Sequence, residues 1–125
     1  MKTILIADDH DHLRLLVSKT LGGPDYRIIE ARDGDEAYAL AMTESPDVLI
    51  LDWMMPGKTG IQVVEALRKE MSFRDVPVIM LTARAQNADR NRAVTLGVHA
   101  YMVKPFSPIE LMETVEKILG ESGCG

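Results

Sequence analysis

Of 125 residues only one is cysteine, one tryptophan and two phenylalanine, and no lysine or arginine run occurs anywhere in the chain. With Cys124 alone, no intrachain disulfide can form, and a cytoplasmic location is expected. Apolar runs are short. The first, Ile4-Leu5-Ile6-Ala7, leads straight into two aspartates, so neither a membrane span nor a secretory signal is expected. Net charge is −5. The chain therefore offers no general attraction to nucleic acid, and any control over DNA would need another domain or a partner. His10, His12 and His99 make no metal-ligand spacing and are expected in solvent. The length suits one domain over residues 1–120, followed by a flexible tail, 121–125, that carries the lone thiol.

What is present is a regular alternation. Thr3 to Ala7 reads as a buried strand, and Leu13, Leu16, Val17 and Leu21 then recur at helical spacing until Gly22-Gly23-Pro24. Tyr26 to Ala31 is a more polar strand, suited to an edge. Asp33 and Glu36 form a candidate capping box for a helix carrying Ala37, Leu40 and Ala41. Val48 to Leu51 is wholly apolar and ends in Asp52. Thr59 is a candidate cap for a helix with Ile61, Val64, Leu67 and Met71 on one stripe. Val76 to Leu81 is another apolar strand, ending at Thr82. Ala85 to Leu96 is a helix poor in large apolar residues, stopped by Gly97. Ala100 to Val103 is a short strand before Lys104-Pro105. Ser107, Pro108 and Glu110 then start a helix with Leu111, Met112, Val115, Ile118 and Leu119 inward, ended by Gly120. Five alternations of this kind predict an α/β fold: a five-stranded parallel sheet with helices on both faces.

The residues that follow the strands carry the chemistry. Asp8 and Asp9 follow the first, Asp52 the third, Thr82 the fourth and Lys104 the fifth. Parallel strands bring these to one edge of the sheet, where open α/β folds place their ligands. Each has an ordinary reading alone: a helix cap, a turn, a strand-end hydroxyl, a surface lysine. Together they form an acidic cluster beside a hydroxyl and an ammonium. Three close carboxylates call for an offsetting cation, and oxygen donors without His or Cys select a hard ion, Mg²⁺. Thr82 and Lys104 suit an incoming phosphoryl group, and Asp52 can serve as its nucleophilic acceptor.

Asp8-Asp9, Asp52, Thr82 and Lys104-Pro105, with Pro56, Gly60 and Tyr101-x-x-Lys104-Pro105-Phe106, closely resemble the response regulator receiver domains of two-component signalling. The resemblance runs from residue 2 to about 120. It implies a flavodoxin-like sheet of strand order 2-1-3-4-5. It also implies a phosphoryl group passing to Asp52 from a sensor histidine kinase or phosphotransfer protein. Asp9 and Asp52, with Asp8 through water and the Met54 carbonyl, would hold Mg²⁺. Thr82 and Lys104 would bind the phosphoryl oxygens, and Tyr101 would act with Thr82 as the switch. The output would pass through the face of the fourth helix, fifth strand and fifth helix to a downstream protein or output domain. Such a chain is not an enzyme in the usual sense, although it assists its own phosphorylation and dephosphorylation. Met54 and Arg84 match positions that tune phosphoryl lifetime, and Trp53 reads as a rim aromatic. The Lys104-Pro105 bond is expected cis, which would turn Lys104 back into the site.

One departure matters. Receivers that dimerise as winged-helix transcription factors usually carry an acidic pair where His99-Ala100 stands, and basic residues where Glu113 and Glu116 stand. This points to a stand-alone or differently coupled receiver. A haloacid-dehalogenase-like phosphatase is the nearest enzymatic alternative, but it wants a second aspartate where Met54 lies. A receiver-like module that has lost phosphorylation would usually lack an acidic residue or the lysine, and all are present. A flavin-binding domain would want a hydroxyl-rich loop after the first strand.

Overall fold

Strands made of consecutive aliphatics can be buried only between two layers of helices, and that is the architecture found. The computed structural model describes residues 2–83 and 86–124, with side chains described through residue 120. In order, the elements are β1 (Lys2–Ala7), α1 (Asp11–Leu21), β2 (Tyr26–Ala31), α2 (Gly34–Glu44), β3 (Val48–Leu51), α3 (Gly60–Arg68), β4 (Val78–Thr82), α4 (Asn87–Thr95), β5 (Ala100–Val103) and α5 (Pro108–Cys124). The sheet order is β2-β1-β3-β4-β5, with every neighbouring pair parallel. Both the parallel sheet and the expected order are thus found, with the polar strand β2 at an edge.

Successive side chains point to opposite faces of a strand, so one sheet feeds two cores. Leu5, Ala7, Leu49, Leu51, Val78 and Met80 meet Ala37 and Ala41 of α2 and Ile61, Val64 and Leu67 of α3. On the other face, Ile4, Ile6, Val48, Ile50, Ile79 and Leu81 meet Val17 and Leu21 of α1 and Leu111, Val115 and Leu119 of α5. Register aligns the strand ends: Ala7 pairs with Leu51, and Leu51 with Met80.

The local signals hold with small changes. Thr59 and Gln62 form a complete capping box on α3. Asp33 accepts the Glu36 N–H, but the Glu36 carboxylate accepts from Arg32 N–H, one residue further back. Ser107 Oγ accepts the Glu110 N–H at 3.2 Å. Met71 does not continue α3. That helix ends at Arg68, and a 3₁₀ turn, Met71–Phe73, buries Phe73 and leaves Met71 exposed. β4 begins at Val78, because Pro77 supplies only its carbonyl to Leu49. α5 continues through Gly120 to Cys124, so the glycine does not stop it. One interior glycine costs a helix only about 1 kcal/mol. Arg84 and Ala85, assigned a lifetime-tuning role and a helix start, lie outside the described residues, as does the side chain of Cys124.

Only Ala93 of α4 is buried, in keeping with its weak apolar stripe. Its C-terminal end is secured by Arg68, whose Nε donates to Leu96 O (2.9 Å) and Nη2 to Gly97 O (3.2 Å). The third bond, Nη1 to Phe73 O at 2.8 Å, ties the same guanidinium to the 3₁₀ turn.

Candidate functional site

At the carboxyl edge of the sheet the ladder outlasts the strands by one residue. Asp8 N–H donates to Ala31 O (3.1 Å), and Asp52 N–H donates to Ala7 O (3.0 Å). The two carboxylates are thereby fixed side by side, each only 4% exposed. Asp9, one residue further out, is exposed. Thr82 closes β4 and is fully buried. Its carbonyl accepts the Lys104 N–H at 2.8 Å. The Lys104-Pro105 bond is cis, as expected. Lys104 Nζ reaches Asp8 Oδ2 at 3.1 Å and Asp52 Oδ2 at 3.0 Å. Asp8, Asp9, Asp52 and Lys104 are therefore brought together at this edge, with Thr82 beside them at the end of β4.

The loop behind Asp52 is held by a glycine. Gly60 donates its N–H to Trp53 O at 2.8 Å, and a Cβ there would fall 2.1 Å from Asp52 O. Only a residue without a side chain fits. Trp53 is not the rim aromatic expected: at 6% exposure it belongs to the core shared with α2 and α3. It anchors the loop after Asp52, and an indole next to a carboxylate gave no warning of that burial. Met54 is exposed, and its N–H lies 3.4 Å from Asp52 Oδ1.

Two further residues escaped the sequence pattern. Arg14, nearly buried, donates Nη1 to Asp8 O at 2.8 Å while its other nitrogens reach Asp11 (2.6 Å) and Glu30 (3.0 Å). It clamps the loop carrying the acidic pair. His10, expected in solvent, is 71% exposed in its side chain, yet Nδ1 lies 3.3 Å from Asp8 Oδ1 and 3.2 Å from Asp9 Oδ1. Its backbone N–H also donates to Asp8 Oδ1, at 2.8 Å. Neither role follows from spacing, since both depend on how the β1–α1 loop turns. Tyr101 is half-buried on β5, with Arg90 of α4 stacked 5.2 Å over its ring.

Burial pushes the Asp52 carboxyl above its ordinary range; the Lys104 ammonium pulls it back, and neighbouring Asp8 adds to the rise. Asp8, Asp9, His10 and Asp52 can each offer a ligand atom, all within 4.8 Å of one another. One ammonium does not balance three carboxylates, so the donor set fits a divalent cation.

The comparisons bear on the family and the fold. The model of the response regulator receiver domain matches residues 4–116. The chain is 36% identical over 124 residues to the phosphate regulon transcriptional regulatory protein PhoB of Pseudomonas aeruginosa, covering 99% of this chain and 54% of that protein. It thus spans about half the length of that regulator. Among solved structures, Vibrio cholerae chemotaxis protein CheY4 superposes with a TM-score of 0.87 at 34% identity, covering 94% of this chain and 98% of that one. The Francisella response regulator 1452 receiver domain gives 0.90 at 30% identity, over 98% and 99% of the two chains.

Proposed function

The chain belongs to the response regulator receiver domain family, and from that premise we propose that Asp52 is its phosphoryl acceptor. The observation that carries the reading is a buried carboxylate, fixed by the β3 ladder, held 3.0 Å from the Lys104 ammonium. One Asp52 oxygen attacks the phosphorus of a phosphohistidine on a kinase or phosphotransfer protein. The O–P bond forms as the P–N bond breaks, and the released imidazole takes up a proton from solvent. Attack of water on the same phosphorus later returns the carboxylate and inorganic phosphate. Lys104, held between Asp8 and Asp52, neutralises the arriving oxygens in this reading, and Thr82 hydrogen-bonds one of them. Asp8, Asp9 and Asp52, with the Met54 carbonyl, would hold Mg²⁺, which supplies further charge neutralisation when bound.

Next to the pocket, Leu13 and Leu16 of α1 line an open depression of about 490 Å³ together with His10, His12 and Lys104. Leu15 and Leu16 are exposed large apolar residues, and they suit a phosphodonor helix laid over the pocket mouth. Output runs through Thr82 to Tyr101, Arg90 and α4, toward a target protein or output domain on the α4, β5 and α5 face. Among the described residues no helix is long and apolar enough to cross a membrane.

Intact mass after incubation with Mg²⁺ and acetyl phosphate tests the assignment. Wild type gains one phosphoryl group and Asp52→Asn gains none. Phosphorylation of Asp52→Asn at the wild-type rate would refute it.

A further inference from the structure

We propose that His10 is a specificity-determining ligand of the cation pocket, giving it a preference for borderline first-row divalent ions such as Co²⁺ over Mg²⁺. The inference rests on the proposed cation site and adds to it the identity of the ion.

An all-carboxylate pocket is a hard-ion pocket. Here Nδ1 of His10 stands 3.3 Å from Asp8 Oδ1 and 3.2 Å from Asp9 Oδ1. Donors on adjacent vertices of an octahedral ion with bonds of about 2.1 Å are roughly 3 Å apart. The imidazole nitrogen and two carboxylate oxygens already approach that spacing. The backbone adds to the placement: His10 N–H donates to Asp8 Oδ1 at 2.8 Å, tying the residue that bears the imidazole to one of the carboxylates it faces. His10 also precedes α1 as its N-cap with extended φ and ψ and makes no side-chain cap bond. The ring is thus left to the acidic pocket rather than engaged by its own helix. Imidazole favours Co²⁺, Ni²⁺ and Zn²⁺, whereas carboxylate and carbonyl oxygens suit Mg²⁺ and Mn²⁺. Replacing one water on the ion by Nδ1 raises affinity selectively for the former group and leaves Mg²⁺ almost indifferent.

The alternative role of the same ring is that of a plug, competing with any cation for Asp8 and Asp9. The two roles predict opposite signs. Affinities of wild type, His10→Asn and His10→Ala for Mg²⁺, Mn²⁺ and Co²⁺ separate them, measured by calorimetry and by quenching of Trp53 fluorescence. We expect both variants to lose about 10-fold or more in Co²⁺ affinity, since even groups that only hydrogen-bond to a metal's ligands usually cost that much when removed. Mn²⁺ should change less and Mg²⁺ by less than about twofold. Pulsed EPR of the Mn²⁺ form should carry a nitrogen coupling in wild type that is absent from both variants. Because His10 is largely exposed, folding is not at issue, and unchanged urea midpoints confirm it. Parallel loss for all three ions, a gain for all three, or no change overturns the inference while leaving the cation pocket intact. Absence of binding by any ion to wild type overturns the pocket itself.

Discussion

Replacing Gly60 by alanine is the smallest change that should disable the site from behind. An ideal methyl on Gly60 lies 2.1 Å from Asp52 O, 2.9 Å from Asp52 C and 3.2 Å from Trp53 Cα, where ordinary contact begins near 3.4 Å. Every clashing atom is backbone, so no side chain can swing aside. Asp52 is fixed by its bond to Ala7 O, and Gly60 by its own bond to Trp53 O and by the Thr59 capping box beside it. Overpacking of this kind costs about 1–3 kcal/mol, sometimes more. A backbone against a backbone belongs at the upper end, about 3 kcal/mol, which for a chain of this size lowers Tm by roughly 10 °C. Some of that cost is relieved by pushing Asp52 outward, so Mg²⁺ affinity and acetyl phosphate labelling should fall together. Gly120→Ala is the control: it sits in α5 with nothing within 4 Å of an added Cβ. It should stabilise by about 0.5–1 kcal/mol, because alanine is the better helix former. Urea denaturation followed by circular dichroism reads both. If Gly60→Ala unfolds within about 0.5 kcal/mol of wild type and binds Mg²⁺ as tightly, the close approach does not constrain the site.

Three further outcomes are expected. Because burial raises the Asp52 pKa in the folded state, folding favours its protonated form. Its penalty is absent at pH below the ordinary carboxylate range and grows as pH rises through the raised value. Asp52→Asn should therefore have the higher urea midpoint at pH 7.5, with the gain shrinking toward pH 4; a constant gain would refute the linkage. Arg14→Gln leaves Asp8 O without its guanidinium donor and should cost about 1–3 kcal/mol. It should also weaken Mg²⁺ binding, with Arg14→Lys partly restoring both; equal affinity in all three proteins would show that the clamp does not position the acidic loop. Thr82→Ala should still accept a phosphoryl group at Asp52 but lose most of the resulting hydrogen-exchange change at Tyr101 and residues 87–95. One charge-assisted bond is worth about 1.5–3 kcal/mol, against about 5.5 for a full reversal of a 1:99 equilibrium, so the wild-type change should itself be partial.

Strand-by-strand burial made most of this fold legible in advance. The apolar runs of β1, β3 and β4 can exist only in a sheet covered on both faces, and the residues just past them must share an edge. The same reasoning located Asp8, Asp52, Thr82 and Lys104. It did not reach contacts set by loop conformation. His10 and Arg14 lie within six residues of Asp8, but their relation to its carboxylate and carbonyl depends on the turn between β1 and α1. Met71 was misplaced for a similar reason: a 3₁₀ turn breaks the helical period, so Met71 is exposed and Phe73, for which the stripe gave no place, is buried. Trp53 was misplaced because its charged neighbour suggested solvent, while its ring packs into the core shared with α2 and α3.

The way Arg68 holds α4 bears on how a signal could travel. Its guanidinium grips the carbonyls of Leu96 and Gly97, which makes that end of the helix a pivot. Nearer the other end, Arg90 lies across the ring of Tyr101, which makes it a handle. A helix pinned at one end and grasped near the other swings rather than slides. The nine residues of α4 make a lever about 13 Å long, so a swing of roughly 10° carries its free end about 2 Å. A change of ring position beneath Arg90 would thus be enlarged at the surface around Asn87, while the Arg68 end stayed nearly still.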